Sequence, residues 1–400
     1  MTAVTVEPLS VHDRVLAVLA GDRPDRIPFC DRLELWRTAL IRQGRLPAAY
    51  EGLSLIDSHR KSGLGQLAFV VPHDFVLRGV ELTVSVDGAV TSRETDPVTS
   101  RWPVMEDRVQ ADRPGTTVFE FATPVGTIRV RQVMLPEAVE WAQVPYLEEH
   151  PIKSLEDYDT VHWIIDHLEV VPRFDRIQAA ADEIGDFGFV LPRIDRIPFQ
   201  EVLIDLLGET NLFYALSDQP DRVHKLLAAV QELRVETAGV LAGLDVPYVE
   251  FGDNVTGHMT NPRLFAEYAI PEYQRLVEIY HAQGKKVGSH FDGELKPLLG
   301  LLPETGLDVI ESVSPAPLTE CTFDELWKAI GGSPPIMWGV IPSPLLEART
   351  PEEELHAFVD HVLETVGDDP VILGISDMVL GNNLIERLEW VSQRIDAHVL

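Results

Sequence analysis

Cysteine is nearly missing from this chain: 400 residues hold only two, Cys30 and Cys321, far apart and without a C-x-x-C spacing. A disulfide scaffold and a thiolate zinc site of the usual spacing are thereby excluded, and a reducing compartment, the cytoplasm, is expected. Positive charge is scarce as well, with 33 Lys and Arg against 64 Asp and Glu and a net charge of −31. A surface this acidic repels phosphate backbones and anionic lipid alike, so no nucleic-acid or membrane partner is expected. No apolar run approaches the roughly 18 residues a membrane span requires, and Met1 to Ser10 has no basic stretch followed by an apolar core. Also missing are G-x-G-x-x-G after a strand, a P-loop and a G-x-S-x-G elbow, which removes the simplest nucleotide and serine-hydrolase readings.

What is present is a 45% hydrophobic chain, enough for a large core in one barrel or two domains. From about Asp186 onward, short β-branched or aromatic runs alternate with longer amphipathic stretches, the pattern of βα units around a parallel sheet. Strands are expected over Phe187 to Leu191, Tyr248 to Gly252, Lys286 to His290, Val309 to Val313, Ile336 to Val340 and Val371 to Ile375. Helices are expected over Gln219 to Ala242, Asn261 to Gln283, Pro351 to Val366 and Asn383 to Val399, with Pro220 and Pro262 in first turns. Upstream, Ile27 to Cys30 reads as a first strand after a helix of His12 to Ala20, and Gln66 to Val71 as a second.

A different texture interrupts this series. Val80 to Val90, Thr117 to Phe121 and Thr127 to Val133 alternate with period two around Asp87-Gly88 and Val125-Gly126, which are hairpin signals. An antiparallel insertion at about residues 75 to 145 is expected, placed as a lid over the site of an otherwise single domain spanning residues 1 to 400.

Three apolar runs end in chemical groups: Val287-Gly288-Ser289-His290-Phe291-Asp292-Gly293, Val246-Pro247-Tyr248-Val249-Glu250-Phe251-Gly252-Asp253-Asn254, and Val371-Ile372-Leu373-Gly374-Ile375-Ser376-Asp377. In a parallel barrel such ends converge on one face, where catalytic groups collect. His290 and Asp292, one residue apart, can share a side of their strand and serve either a hard or borderline divalent metal or an acid/base pair; the bland alternative is a partnered His and Asp closing a loop. Glu250 could complete that site, whereas Asp253 and Asp377 stand between a site role and loop capping. Arg193, beside Asp195 and Arg196, could bind a substrate carboxylate or phosphate or belong to an internal ion-pair network. Tyr248, Phe251, Phe291 and Trp338, with Trp36 and Trp102, could line an apolar pocket, and Cys30 could face the mouth as a buried, inert thiol.

Asp13-Arg14-Val15-Leu16-Ala17-Val18-Leu19-Ala20-Gly21-Asp22-Arg23-Pro24-Asp25-Arg26-Ile27-Pro28-Phe29 resembles the entry helix and first strand of the uroporphyrinogen decarboxylase superfamily. Gly44 to Tyr50, Thr123 to Thr127, Pro151 to Tyr158 and Gly252 to Gly257 are similar to it too, so the resemblance spans nearly the whole chain. It implies a distorted (β/α)8 TIM barrel of the α/β class, often dimeric. Its decarboxylases carry a Gly-His-Gly stretch near the last strand, where this chain has Gly374-Ile375-Ser376-Asp377, and Arg42-Gln43-Gly44-Arg45 falls later than their arginine motif. Its zinc methyltransferases show His-x-Cys on one strand and Cys on the last, where this chain presents His290-Phe291-Asp292 and Asp377, carboxylates in place of thiolates. The resemblance thus implies a methyltransferase-like enzyme that demethylates a small O-, N- or S-methyl compound and passes the methyl to a corrinoid protein or other acceptor. A divalent metal, zinc or another, would be held by His290, Asp292 and Asp377, with Glu250. Two alternatives stay open: decarboxylation of a polycarboxylate anchored by Arg193 or Arg42, and a non-catalytic barrel that binds a corrinoid or small ligand.

Overall fold

In the computed structural model, residues 8–105, 108–332, 334–376 and 378–398 are described; Asp377 lies outside them. Among the described residues sixteen strands run in chain order: β1 (Cys30–Asp31), β2 (Gly65–Val70), β3 (His73–Leu77), β4 (Glu81–Val86), β5 (Ala89–Thr95), β6 (Val98–Thr99), β7 (Gly115–Thr123), β8 (Gly126–Met134), β9 (Tyr146–Glu149), β10 (Leu168–Pro172), β11 (Gly188–Ile194), β12 (Tyr248–Phe251), β13 (Lys286–His290), β14 (Val309–Val313), β15 (Ile336–Pro342) and β16 (Val371–Ser376).

Eight of them form one parallel sheet in the order β1-β2-β11-β12-β13-β14-β15-β16. The sheet closes on itself through a parallel bridge between Phe29 and Leu373, where Leu373 N donates to Pro28 O at 2.9 Å. The expected (β/α)8 barrel is therefore present. Its strands β12, β14, β15 and β16 are near-continuous apolar runs because both of their faces are covered, the inner by the barrel lumen and the outer by helices. The helices begin where the chain chemistry favours it. Pro220 and Pro262 open theirs, and Thr322 and Glu325 form a reciprocal capping box ahead of Phe323–Ile330.

The lumen is filled in layers. Near its N-terminal end, Phe189, Tyr248 and Trp338 pack with ring centroids 6.0 to 6.4 Å apart. The helix Val11–Ala20 packs its buried Val15, Val18 and Leu19 into the same cluster and plugs that end. The opposite end, toward which all eight strands point, is left for polar groups.

Between β2 and β11 the chain leaves the barrel and builds two antiparallel sheets, β10-β3-β6 and β5-β4-β7-β8-β9. The β4/β5 turn uses Asp87 at φ 50° and Gly88 at φ 83°, the left-handed pair its Asp-Gly sequence demands. Gly126, which opens β8, is needed for a different reason: a Cβ there would lie 2.4 Å from Thr160 Oγ1. These sheets share a second hydrophobic core with the helices of residues 198–241, including Phe119, Phe121, Val202 and Leu226.

Candidate active site

Inward-facing residues at the C-terminal ends of β11 to β14 are Arg193, Glu250, His290 and Glu311, one from each of four neighbouring strands. Glu250, His290 and Glu311 each offer a ligand-type atom, and these atoms lie within 4.8 Å of one another, all buried. His290 Nδ1 donates to Glu311 Oε2. Burial pushes on the Glu311 carboxyl from one side, but the charge and hydrogen bond of His290 outweigh it and hold Glu311 below the usual carboxylate range. Glu250 goes the other way: burial, reinforced by the negative Glu311, raises it well above that range. Asp31, at the end of β1, is likewise raised well above it by burial.

Glu250 is held asymmetrically. Tyr248 Oη, one layer deeper, donates to Glu250 Oε2 at 2.9 Å, whereas Glu250 Oε1 is buried with no hydrogen-bond partner. The phenol fits because the next strand carries Gly288, whose missing Cβ would stand 1.8 Å from the Tyr248 oxygen. A buried carboxylate oxygen without a donor is expensive unless a ligand or cation completes it.

A cavity of about 670 Å³ opens beside this cluster and reaches it through His290. Its wall combines His290, Asp292, Arg193, Arg32 and Phe69 from the barrel with Ser100, Arg101, Trp102 and Val104 from the antiparallel insertion. The insertion is fastened to the barrel by charge: Asp205 accepts from Arg101 of the insertion at 3.2 Å and from Arg196 Nε at 2.9 Å. Asp205 sits in a π-helical turn, Val202–Leu207, a geometry frequent beside functional sites. The neighbouring Asp195 accepts from His73 Nε2 at 2.9 Å; burial would raise its carboxyl, but His73 and Arg234 hold it down at about 2.

Backbone distortion accompanies the cluster. The β14/β15 register slips between Ile310 and Val313, flanking Glu311, and Ser312 and Val340 adopt φ of 64° and 82°. A bulge of this kind re-aims the side chains around it, and a β-branched residue in that region is strained.

The residues singled out from sequence separate as follows. His290, Glu250, Arg193 and Asp292 reach the site, although Asp292 stands on the cavity wall and is outside the three-residue cluster. Tyr248 reaches Glu250 from below. Asp253 is a structural knot, accepting from Ile197 N, Tyr273 Oη and Ser289 Oγ at 2.7 Å each. Phe251 and Phe291 point outward into the packing around Tyr273. Trp338 and Cys30 lie deep in the lumen, where the indole donates to the Cys30 carbonyl at 3.0 Å and burial pushes the Cys30 thiol up. Trp36 is core beside Tyr50, whereas Trp102 does line the cavity. Arg42 binds the Val139 carbonyl in an exposed groove away from the mouth. At Gly374 the close neighbour is Asp31, whose Oδ2 lies 2.5 Å from where a Cβ would be. Sequence reasoning missed Glu311, Asp31 and Phe69; the one signal for Glu311 was a lone carboxylate in the apolar run Val309-Ile310-Glu311-Ser312-Val313.

A closed parallel barrel whose mouth gathers buried carboxylates and a histidine, walled on one side by an insertion, is a TIM-barrel architecture. Residues 201–396 match the family model described as uroporphyrinogen decarboxylase (URO-D), in agreement with the resemblance read from the sequence. Among solved structures it is similar to a methyltransferase from Methanosarcina mazei, at 14% identity over 97% of this chain and 98% of that one with a TM-score of 0.56, which shows a shared fold. A B12-independent methionine synthase from Shewanella sp. W3-18-1 is 14% identical over 68% of this chain and 70% of that one, with a TM-score of 0.36, too distant to bear on the chemistry. No curated protein matches the chain. Among the described residues no helix is long and apolar enough to cross a membrane.

Proposed function

We propose that the protein is a metal-assisted, methyltransferase-like enzyme that removes a methyl group from a small O-, N- or S-methyl compound and passes it to an acceptor such as a corrinoid on a partner protein. The observation that carries this reading is the buried Glu250, His290 and Glu311 cluster, with the orphaned Glu250 Oε1, which meets a cavity large enough for a small substrate through His290.

The donor set fits a divalent cation of hard or borderline character, two carboxylates and an imidazole, better than a thiophilic one. Both cysteines are buried, burial lifts both thiols, Cys321 to about 12, and neither belongs to the cluster. Glu250, His290 and Glu311 would hold the ion, with Asp292 on the wall beside them. A bound cation would supply Lewis-acid polarisation of the substrate heteroatom that gives up the methyl. The chain's own contributions are to orient Glu250 through Tyr248 and to cover the cavity with the segment around Trp102, which excludes water.

Elemental analysis tests this directly. Protein supplied with zinc, manganese, cobalt or iron should retain about one ion per chain, and a His290→Ala, Glu311→Ala double variant should retain none; equal metal content in the two would end the proposal.

A second reading, decarboxylation of a polycarboxylate, is favoured by the four arginines on the cavity wall, Arg32, Arg101, Arg193 and Arg196. Asp205 engages two of them, Arg101 and Arg196. Release of CO2 from a polycarboxylate by metal-stripped enzyme would select this reading over the first.

A further inference from the structure

Arg193 is a cation fixed in place by contacts that use none of its donors. Its guanidinium lies 4.3 Å above the centre of the Phe69 ring, and its Nε lies 2.9 Å from the position a Cβ would occupy at Gly252. Among the described residues the guanidinium donates no hydrogen bond, and its nearest anion is Glu250 Oε1 at 3.8 Å. That distance exceeds a hydrogen bond, and the oxygen is the same one that a cation held by the cluster would take. The two demands on Glu250 Oε1 compete. Once a metal has it, Arg193 is left facing the cavity with its donors unfilled and only 18% of its side chain exposed.

A partly buried guanidinium in that condition calls for an oxyanion from the ligand. The rest of the wall narrows the class. The five carboxylates that share the cavity, Glu34, Asp195, Glu201, Asp205 and Asp292, outnumber its four arginines, and Asp205 already engages Arg101 and Arg196, which favours a planar, singly charged group matched to the guanidinium fork over a dianion. We propose that Arg193 anchors a carboxylate carried by the methyl-bearing substrate, and that Phe69 and Gly252 position this anchor beside Glu250, His290 and Glu311. The inference rests on the function proposed above and names its substrate class: a small methylated carboxylate in preference to a neutral methyl compound or a phosphate ester.

Calorimetric titration of the metal-loaded protein tests it with methoxyacetate, (methylthio)acetate and N,N-dimethylglycine, against neutral 2-methoxyethanol and dianionic methyl phosphate. At least one carboxylate should bind, and Arg193→Gln should weaken it by about tenfold or more, the scale of one charge-assisted hydrogen bond. Gly252→Ala, whose new methyl displaces the guanidinium without removing it, should weaken the same ligand in the same direction, which guards against a misfolded Arg193→Gln. The proposal is overturned if none of the three carboxylates binds, if both variants bind them as wild type does, or if 2-methoxyethanol or methyl phosphate binds more tightly than the carboxylates. Metal content of the same samples separates the two readings. Metal retained without Arg193-dependent binding removes the anchor alone, and Arg193-dependent binding in protein that retains no metal removes the metal reading alone.

Discussion

Tyr248→Phe isolates the oxygen that steers Glu250. The change deletes one buried hydroxyl, and with it the 2.9 Å hydrogen bond to Glu250 Oε2, while the ring and its packing against Phe189 and Trp338 remain. Glu250 then has neither oxygen satisfied, since Oε1 is already without a partner. Leaving a buried acceptor unfilled costs about 1 to 3 kcal/mol, which should appear as a lower denaturation midpoint in the metal-free protein. Losing an outer-shell partner of a metal ligand typically costs about 10- to 100-fold in metal affinity. Chelator competition in the metal-loaded protein should therefore show weaker binding by that factor. Gly288→Ala provides a second approach, because its Cβ would occupy the space of the phenol oxygen at 1.8 Å. If Tyr248→Phe lowers stability but leaves metal affinity untouched, the tyrosine is a packing residue and its proposed steering role is wrong.

Other outcomes follow from the same structure. His59 is buried, donates Nδ1–H to Leu64 O at 3.0 Å, and is pushed down to about 4 by burial. An unfolded chain protonates this ring near pH 6.5 but the folded one resists until about 4, so stability present above pH 6.5 is lost on acidification, by roughly 3 kcal/mol at pH 4; urea melts of His59→Asn should show less loss over that window. Asp195, held at about 2, acts later. Its contribution is intact above about pH 4 and disappears as pH falls toward 2, so Asp195→Asn should flatten the last part of acid unfolding. Asp205→Asn should loosen the insertion, costing about 3 kcal/mol by removing the anion shared by Arg101 and Arg196 and raising proteolysis between β3 and β10 first; unchanged proteolysis there would show that Asp205 is not the fastener.

The barrel was legible because its strands are covered on both faces and so read as unbroken apolar runs between helices of period 3.6. Each strand expected from Phe187 onward appears within a few residues of its expected limits. The first strand was harder, since β1 has only two ladder residues and closes the barrel through a single bridge at Phe29. His290, Glu250 and Arg193 were legible as polar groups at strand ends. Glu311 was not, because a bulge decides where it points and no local pattern in Ile310-Glu311-Ser312 announces one. The aromatic residues show the opposite difficulty. Period two gives two faces to a strand but does not say which is the lumen, and Phe251 and Phe291 went outward while Tyr248 and Glu250 went in. Asp31 was beyond sequence, since its approach to Gly374 is a product of barrel closure between segments more than three hundred residues apart.

Ser312 and Val340, twisted into left-handed backbone on adjacent strands, each forgo about 1 to 3 kcal/mol of what relaxed strands would contribute. The barrel is therefore deliberately less sturdy at the one spot where Glu311 is presented. Substitutions that selected for heat tolerance alone would be drawn to this spot first, and the hardened protein they produced would be one whose cluster had lost its aim.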